Sequence, residues 1–402
     1  MPDDQGASGT ARLRLKKRHE RRLEAGHLWV FSNEIDTDAT PLKGFPAGAP
    51  AVIESATGKF LAHAYVNPAS LICARVTSRQ KHRPFSLEIL SQRLQTALSL
   101  REFYYAKPYY RLVHSEGDFL PGLVVDRYGN TLIVQMTTAG MEVMRDDLVE
   151  ALTALTGAEN ICLQNNTSIR ELEQLPLYVD WVSGGAPAEL RIEENDLTFA
   201  VPAELGQKTG WFYDHRESRR QLRSWVAGKR VLDLYSYIGG FAINAAIGGA
   251  AEVIAVDSSR PAMEAAQVNV NHNNVGDRVQ IRCDDAVEAM RSLFSDNERF
   301  DAIVLDPPAF IKRKKDLEAG TRHYALNNRL AMKLLKPGGV LLSASCSQAL
   351  SLQALQKAVA DGVPRGNPGV QFLSVFQQAP DHPVNAAMPE SLYLKGLIAR
   401  LP

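Results

Sequence analysis

Two residues that can do covalent chemistry follow apolar runs in the C-terminal third of the chain. Asp306 ends the run 300–306 and precedes two prolines, and Cys346 stands one serine beyond the run 338–344. If both runs are strands of one open parallel α/β sheet, both side chains lie at its carboxyl edge, where such sheets bind ligands. A carboxylate and a thiol beside a bound base indicate covalent chemistry on a pyrimidine.

The elements that must position these residues alternate between strand and helix. The predicted strands are residues 231–234, 252–257, 279–285, 300–306 and 338–344. Helical patterns lie between them, at 262–271 and 325–335 among others. This alternation predicts a parallel, doubly wound sheet. The first four strands carry Asp233, Asp257, Asp285 and Asp306 at or near their ends, so the sheet edge is expected to be acidic.

The turn after the first strand indicates the class of cofactor. It contains Gly239 and Gly240, which allow close approach of the backbone to a ligand, but it is not GxGxxG and so disfavours a dinucleotide. Asp257 is placed to accept hydrogen bonds from ribose hydroxyls, and Asp285 from an adenine amino group. No obvious phosphate cradle is present. A cofactor with adenosine and no pyrophosphate fits best, which predicts S-adenosylmethionine.

The remainder of the chain has a different composition. Residues 1–10 are small and polar, and are expected to be disordered. Residues 12–79 show short strands and turns, including a hairpin turn at 57–59, and predict a mostly-β module. Residues 80–187 combine a helical period at 85–106, with Leu90, Leu94 and Phe103 on one face, with several strands, and predict an α+β domain. A turn-rich stretch at 183–187 is the linker candidate.

Bulk properties exclude several classes of protein. The chain has 402 residues, no net charge and no apolar run of membrane-spanning length, so no membrane partner is expected. Its four cysteines are far apart and form no CxxC pair, which argues against a metal site and fits the cytoplasm. Cys73, Cys162 and Cys283 lie in strand-like runs, where core packing is favoured. The sequence also allows a homodimer.

The motifs around these residues resemble those of class I methyltransferases, at 233–241, 255–259, 283–285 and 306–310. The segment 206–216, which reads GQKTGWFYDHR, is similar to the one that precedes the sheet in the ribosomal RNA large subunit methyltransferase I family. Members of that family make 5-methylcytosine in 23S ribosomal RNA. Residues 26–31, 379–383 and 392–396 also resemble the family, so the resemblance covers nearly the whole chain.

The resemblance implies a multidomain fold. An N-terminal, mostly-β PUA-like barrel that binds RNA is expected at 1–79, a central α+β domain at 80–187, and a C-terminal α/β Rossmann-like class I methyltransferase at 188–402. With the strand-end pattern, it implies cofactor contacts at Asp233, Tyr235, Gly239, Gly240, Asp257, Ser258, Asp284, Asp285, Asp306, Pro307 and Arg216. The expected partner is large-subunit ribosomal RNA.

Candidate RNA contacts come from basic clusters and from the segment 206–216. They are Lys208, Thr209, Lys312, Lys314, Arg14, Lys16 and Lys17. Basic clusters can neutralise phosphates, although a solvated helix face has the same composition. For Lys208, Thr209 and Arg216, contact with cofactor or RNA and a purely structural hairpin lid are both compatible with the sequence.

The predicted reaction is methylation of cytosine C5 through a covalent bond between Cys346 and C6, with Asp306 at N3. No second cysteine stands beside Asp306, so the base that removes the C5 proton is unassigned. Two alternatives remain: methylation of a purine nitrogen such as guanine N7, with Cys346 structural, and a non-catalytic RNA-binding assembly factor. The row of strand-end carboxylates disfavours the second, because a fold that only binds RNA does not need them.

Overall fold

The computed structural model describes residues 11–202 and 210–402. Lys208 and Thr209, two of the predicted RNA contacts, and the residues expected to be disordered at 1–10 lie outside these ranges. The chain forms two compact units. The first runs to Ala186 and includes Asp381–Ser391, and the second comprises Pro187–Pro380 and Leu392–Pro402. The division into three domains at residues 79 and 187 stays a prediction.

The first unit begins with a five-stranded sheet. Its elements are β1 (Ala11–Arg14), α1 (Arg21–Glu24), β2 (Trp29–Val30), β3 (Ala49–Glu54), β4 (Phe60–Val66) and β5 (Ala74–Ser78). The strands pair in the order β1-β3-β4-β5-β2. The predicted hairpin turn at 57–59 is confirmed, because β3 and β4 pair antiparallel on either side of it. Aliphatic side chains of these strands, including Leu13, Ile53 and Val76, form a buried core.

A second five-stranded sheet completes the first unit. Its elements are α2 (Leu87–Tyr104), β6 (Tyr109–His114), β7 (Leu123–Tyr128), β8 (Thr131–Met136), α3 (Ala139–Val143), α4 (Arg145–Thr156), β9 (Asn160–Asn165), α5 (Ile169–Leu172) and β10 (Tyr178–Ser183). The strand order is β10-β9-β8-β7-β6. The predicted helix at 85–106 is confirmed as α2. However, Phe103 is 82% exposed, since Arg101 takes the buried position one turn after Ala97 and pairs with Asp118.

The second unit carries a hairpin and a seven-stranded sheet. Its elements are β11 (Glu189–Glu194), β12 (Leu197–Pro202), α6 (Arg216–Leu222), β13 (Arg230–Leu234), α7 (Gly240–Ile247), β14 (Glu252–Asp257), α8 (Arg260–His272), β15 (Val279–Cys283), α9 (Ala286–Ser295), β16 (Phe300–Leu305), α10 (Leu317–Leu334), β17 (Leu335–Ser345), α11 (Leu352–Ala360), β18 (Gln371–Gln377) and β19 (Lys395–Arg400). The large sheet has the order β15-β14-β13-β16-β17-β19-β18.

The five predicted strands of this sheet are confirmed as parallel neighbours, but β19 runs antiparallel to both β17 and β18. Neighbouring parallel strands need a crossover connection, which is usually a helix. Residues 392–394 lead into β19 without such a helix, and this strand is antiparallel to its neighbours. The strands β13, β16 and β17 are apolar and buried because helices cover both faces of the sheet. Among the described residues, no helix is both long and apolar enough to cross a membrane.

Candidate active site

The carboxyl ends of four adjacent strands place the predicted catalytic residues at one edge of the sheet. Strand β13 lies between β14 and β16, and β16 pairs with β17. Leu305 is opposite Leu234 on one side and Ser343 on the other. Asp306 and Cys346 each stand one residue beyond the end of their strand, so the thiol and the carboxylate share the edge that the sequence predicted.

The turn between β13 and α7 has an unusual backbone. Tyr235, Tyr237 and Gly239 have φ angles of 64°, 52° and 86°. Non-glycine residues rarely adopt this left-handed region, and such conformations persist where the surrounding structure holds them. The backbone N–H of Tyr237 donates to Asp257 at 3.0 Å, and the Tyr235 hydroxyl donates to Asn327 at 2.7 Å. The turn is therefore fixed to both β14 and α10.

Asp233 is the most buried carboxylate of the edge, at 1% exposure. Its Oδ2 accepts from the Ser236 hydroxyl at 2.6 Å. Burial raises the pKa of Asp233 to about 7, with further contributions from Asp306 and Asp257. The negative charges of Asp306 and Asp257 disfavour a charge on Asp233, and the same negative potential favours a cationic ligand.

The remaining predicted cofactor residues surround this edge. Both oxygens of Asp257 accept backbone N–H groups, from Tyr237 and, at 2.9 Å, from Ser259. Ser258 is exposed and Pro307 is buried. Asp284 forms an ion pair with Arg282 at 2.6 Å. These contacts fix the Asp257 carboxylate in one orientation, while its remaining lone pairs can accept from a ligand.

Asp285 caps helix α9, because its Oδ1 accepts the backbone N–H groups of Val287 at 2.9 Å and Glu288 at 3.1 Å. The capping role that a strand-end aspartate often has is therefore present here. The predicted contact with adenine involves an exposed side chain with a second oxygen, and it stays a prediction.

Asp306 has a histidine neighbour that the sequence analysis did not single out. His215 Nε2 lies 3.2 Å from Asp306 Oδ2, and its Nδ1 is 2.9 Å from the Ser218 hydroxyl. Burial lowers the pKa of His215, but the carboxylates of Asp306 and Asp214 together raise it by more, so the pKa lies above its ordinary value. The only sequence signal for His215 was that a titratable residue lies inside the segment 206–216. No local sequence pattern indicates that this segment contacts the end of β16.

Cys346 is half-buried, and its neighbours are strongly anchored. The Ser347 hydroxyl accepts from the Ile311 backbone N–H at 3.1 Å and lies 2.9 Å from the Tyr324 hydroxyl. These contacts join the loop that bears Cys346 to the loop that bears Asp306. Both loops therefore have little freedom to move independently.

Lys395 is a second residue that the sequence analysis missed. It is 8% exposed, and its ammonium donates to the carbonyl oxygens of Ser347 at 2.7 Å and Leu350 at 2.9 Å. Burial lowers the pKa of Lys395, and negative charge on Cys346 acts in the opposite direction. By the same interaction, the ammonium favours the thiolate form of Cys346.

The other cysteines differ from Cys346. Cys73 and Cys162 are buried as predicted, and burial raises their pKa values to about 12 and about 11. The prediction of core packing is wrong for Cys283, which is exposed. It is the last residue of β15, an edge strand of the sheet, and so lacks a neighbouring strand on one side.

Arg216 lies in a buried cluster around the Glu194 carboxylate. It contacts Glu194 at 3.4 Å, and the same carboxylate accepts from Arg219 at 2.6 Å and from the Trp211 ring N–H at 2.9 Å. Burial raises the pKa of Glu194, but the arginines lower it by more, so the carboxylate stays charged. Gly240 packs against this cluster, since a Cβ there would lie 3.1 Å from the Trp211 ring. The cofactor contact of Arg216 stays a prediction.

The predicted RNA contacts are divided between the units. Arg14 lies 3.3 Å from Glu54, and Lys16 donates to the carbonyl oxygen of Asn33 at 3.0 Å. Lys17 and Lys312 are exposed. Lys312 and Lys314 belong to the unit that bears Asp306 and Cys346, whereas the other three belong to the first unit.

The residues at the edge fit S-adenosylmethionine. The cofactor carries a sulfonium and an ammonium group, and the acidic cluster of Asp233, Asp257 and Asp306 favours positive charge. Asp257 can accept from ribose hydroxyls, because its carboxylate is partly exposed. Within the described residues, no group of three or more His, Cys, Asp or Glu side chains is arranged to hold a metal ion.

Comparison with known proteins shows which family the chain resembles. A family model described as S-adenosylmethionine-dependent methyltransferase matches residues 117–399, and a PUA-like domain model matches residues 13–79. The ribosomal RNA large subunit methyltransferase I of Cronobacter sakazakii is 39% identical over 96% of this chain and 98% of its own length. Its counterpart from Yersinia pseudotuberculosis is 37% identical over 98% of this chain and 100% of its own.

Solved structures share the fold. A protein described as a methyltransferase and solved in complex with SAH has a TM-score of 0.84 and 21% identity, and covers 97% of this chain and 100% of its own. A second structure, from Streptococcus mutans, has a TM-score of 0.82 at 21% identity with the same coverage.

These comparisons confirm the predicted fold class, a PUA-like domain followed by a Rossmann-like class I methyltransferase, and the predicted cofactor, S-adenosylmethionine. They also cover nearly the whole chain, as the sequence resemblance did. The chain belongs to the ribosomal RNA large subunit methyltransferase I family of S-adenosylmethionine-dependent methyltransferases.

Proposed function

We propose that the protein transfers a methyl group to C5 of a cytosine in 23S ribosomal RNA, through a covalent bond between Cys346 and C6. Its relatives are named for large-subunit ribosomal RNA. The observation that carries the chemistry is the position of Cys346, on the strand next to the one that ends at Asp306 and within the electrostatic influence of Lys395. A nitrogen methyltransferase has no need of a thiol there.

The reaction begins with nucleophilic addition. The Cys346 thiolate attacks C6, and the electrons of the C5–C6 double bond move towards N3 and O2 of the ring. Proton transfer to N3 neutralises the developing charge and leaves an enamine whose nucleophilic atom is C5. S-adenosylmethionine, when bound, supplies the electrophilic methyl group. Loss of the C5 proton to a base and elimination of the thiolate then restore the aromatic ring, and N3 returns its proton.

Asp306 and His215 act together at N3. Because the two side chains are 3.2 Å apart, a proton on His215 can be shared with the Asp306 carboxylate. The pair therefore holds one proton close to the position where N3 needs it, without requiring an isolated protonated carboxyl group. Asp306 contacts the base, and His215 is a positioning residue behind it.

Lys395 acts on the nucleophile. A thiolate, not a thiol, adds to C6, and a nearby ammonium stabilises it. The carbonyl oxygens of Ser347 and Leu350 hold this ammonium in place, so its charge is available without a flexible side chain having to be ordered.

The substrate cytosine has to leave its stack, because C6 is inaccessible to a thiol inside a helix. The exposed Lys312 follows the loop of Asp306 and is suited to a phosphate beside the flipped base. Lys314 is proposed as a further RNA contact. Arg14, Lys16 and Lys17 are proposed to contact more distant RNA. A homodimer is a further proposal, and sedimentation of the purified enzyme tests it.

The deciding experiment measures methyl transfer from labelled S-adenosylmethionine to large-subunit RNA that lacks its own modifications, followed by nucleoside analysis. Wild type is expected to place the label in 5-methylcytosine. Cys346→Ala is expected to lose this label and to keep its affinity for the cofactor. Cys283→Ala, which removes the exposed cysteine, is the matched control and should retain activity.

Three results would contradict the proposal. Label in a purine would move the assignment to nitrogen methylation, and equal label from wild type and Cys346→Ala would make Cys346 a structural residue. Binding of RNA without transfer to any nucleoside would indicate an assembly factor.

A further inference from the structure

A positively charged cavity of about 470 Å³ lies within the first unit, beside the end of β5 and the helix α2. Its described lining contains three arginines, Arg79, Arg83 and Arg93, and no aspartate or glutamate. One rim is the segment 79–83, which reads RQKHR. The size is in the usual range for small-ligand sites, and the charge favours an anion.

Two of these arginines have partners that leave their charge in place. Arg79 donates to the carbonyl oxygens of Leu23 at 2.7 Å and His27 at 2.9 Å. Arg93 donates to the carbonyl oxygens of Thr77 and Phe119. The carbonyl groups orient the guanidinium groups through some of their five N–H donors, but they do not neutralise the charge.

Burial lowers the pKa of Arg93 to about 10, as expected for a cation without a counter-ion. Arg83 differs, because it pairs with Glu88 at 2.8 Å. The cavity therefore holds two oriented cations, Arg79 and Arg93, that an incoming anion would neutralise.

An aromatic side chain completes the cavity. Phe119 is 51% exposed and has a φ angle of 58°, in the left-handed region that bulky residues avoid. Its carbonyl oxygen accepts from Arg93, and its N–H donates to Glu116 at 3.2 Å, so the strained backbone is held from both sides. Exposed aromatic rings beside cations are the surfaces on which bases of single-stranded nucleic acids stack.

We propose that this cavity binds one nucleotide of the RNA substrate, with its phosphate at Arg79 and Arg93 and its base on Phe119. The inference rests on the proposed function, because RNA is the ligand. It adds a binding subsite in the first unit that differs both from Asp306 and Cys346 and from the basic residues of β1 and its following turn. Its role is to hold an unpaired nucleotide of the substrate, not to take part in methyl transfer.

The experiment uses the whole chain and five variants of it. Phe119→Asn removes the ring while keeping a residue that tolerates the left-handed backbone, and Phe119→Tyr keeps the ring. Phe103→Asn is the control for loss of an exposed aromatic, since Phe103 lies on the exposed face of α2. Arg79→Gln removes one cation of the cavity, and Lys43→Gln removes an exposed cation elsewhere in the same unit.

Binding of single-stranded RNA is measured by fluorescence anisotropy at several salt concentrations. Phe119→Asn is expected to raise the Kd about 10-fold, the usual effect of losing one stacked base. Arg79→Gln is expected to reduce the slope of log affinity against log salt by about 0.7, the value for one phosphate contact on a single strand. Phe119→Tyr, Phe103→Asn and Lys43→Gln should bind as wild type.

The outcomes separate this inference from the proposed function. Wild-type methylation together with unchanged RNA binding in Phe119→Asn and Arg79→Gln overturns the subsite alone. If wild type methylates no RNA, the proposed function fails, and weaker oligonucleotide binding in Phe119→Asn still supports nucleotide binding in the cavity. Competition by cytidine monophosphate that disappears in Phe119→Asn supports the base contact. Equal competition by inorganic phosphate overturns it and leaves a simple anion site.

Discussion

Cys346 and Asp306, the two residues proposed to react, each have a buried partner that is distant in sequence. Lys395 neighbours Cys346, and His215 neighbours Asp306. In the proposed reaction, the opposite charge stabilises the form that each residue needs, a thiolate at Cys346 and a shared proton at Asp306. The ordinary chemistry of cysteine and aspartate is thus adjusted by residues that do not themselves bond to the substrate.

Loss of the Lys395 charge should slow the reactions of the thiol. In a Cys283→Ala background, Lys395→Met is expected to reduce the alkylation rate of Cys346 by iodoacetamide about 10-fold at pH 7, because the thiolate loses its ammonium neighbour. The pH at which the alkylation rate reaches half of its maximum should also rise. Lys395→Arg, which keeps the charge, is the control. Equal rates in Lys395→Met and wild type would show that the ammonium does not influence the nucleophile.

The proton of His215 should appear in the pH dependence of catalysis. Above the raised pKa of His215 the pair with Asp306 loses its proton, so kcat/KM is expected to fall at alkaline pH. In His215→Gln this alkaline decrease should disappear, and kcat should be about 10- to 100-fold lower. A purely structural histidine would lower activity equally at every pH and leave the shape of the profile unchanged.

The same pair has a consequence for stability. A histidine whose pKa is raised on folding stabilises the folded state fully below the pKa of the unfolded chain, about 6.5. This contribution is lost as the pH rises through the higher, folded value. The difference in free energy of unfolding between wild type and His215→Gln should therefore shrink from pH 6 towards alkaline pH, as measured by urea denaturation.

The position of Asp306 and Cys346 at the edge of the sheet could be predicted from the sequence, whereas the identity of their neighbours could not. Asp306 and Cys346 follow apolar runs, and a run that ends in a polar residue is visible locally. Lys395 precedes the apolar run 396–399, and nothing in that pattern indicates that β19 inserts beside β17. Core packing is predicted for Cys283 because it lies in a strand-like run, whereas its exposure follows from the position of β15 at the edge of the sheet.

At the scale of elements, the loops after β16 and β17 are held together by α10. Tyr324 of this helix and Ile311 of the first loop both bond to the Ser347 hydroxyl in the second. Sequence patterning placed the helix at 325–335, but it begins at Leu317. Its first two turns, LEAGTRHY, carry few apolar residues, so no helical period is visible there.

Removal of the Ser347 hydroxyl should therefore affect catalysis more than stability. Ser347→Ala leaves a buried N–H and a buried hydroxyl without this partner, which costs about 1–3 kcal/mol. Ser351→Ala is the matched control, because the Ser351 hydroxyl caps α11 by accepting from Ala354 at 3.1 Å, and loss of a cap costs about 1 kcal/mol. Both variants should unfold more easily, and Ser347→Ala alone should lose kcat. Equal kcat in the two variants would show that the link between the loops is not needed.

At the scale of the whole molecule, the chain returns to its first unit near the C-terminus. Residues Asp381–Ser391 belong to the first unit, although the chain before and after them belongs to the second. The Asp381 carboxylate accepts from the Arg111 N–H at 3.0 Å, and Met388 is fully buried in the core of the first sheet. Sequence patterns could not predict this, because a short polar segment with one methionine carries no signal of the core that it joins.

This return path predicts that a change near the C-terminus destabilises the N-terminal sheet. Met388→Ala should lower the free energy of unfolding by about 2–5 kcal/mol, the usual cost of emptying a core position. Hydrogen exchange should then rise in β3, β4 and β5, whereas affinity for S-adenosylmethionine should stay within two-fold of wild type. Met332→Ala, an equally buried methionine of the second unit, should instead raise exchange in β16 and β17. Faster exchange confined to residues 381–391 in Met388→Ala would mean that the first sheet is stable without this segment, and that the return of the chain adds no support to its core.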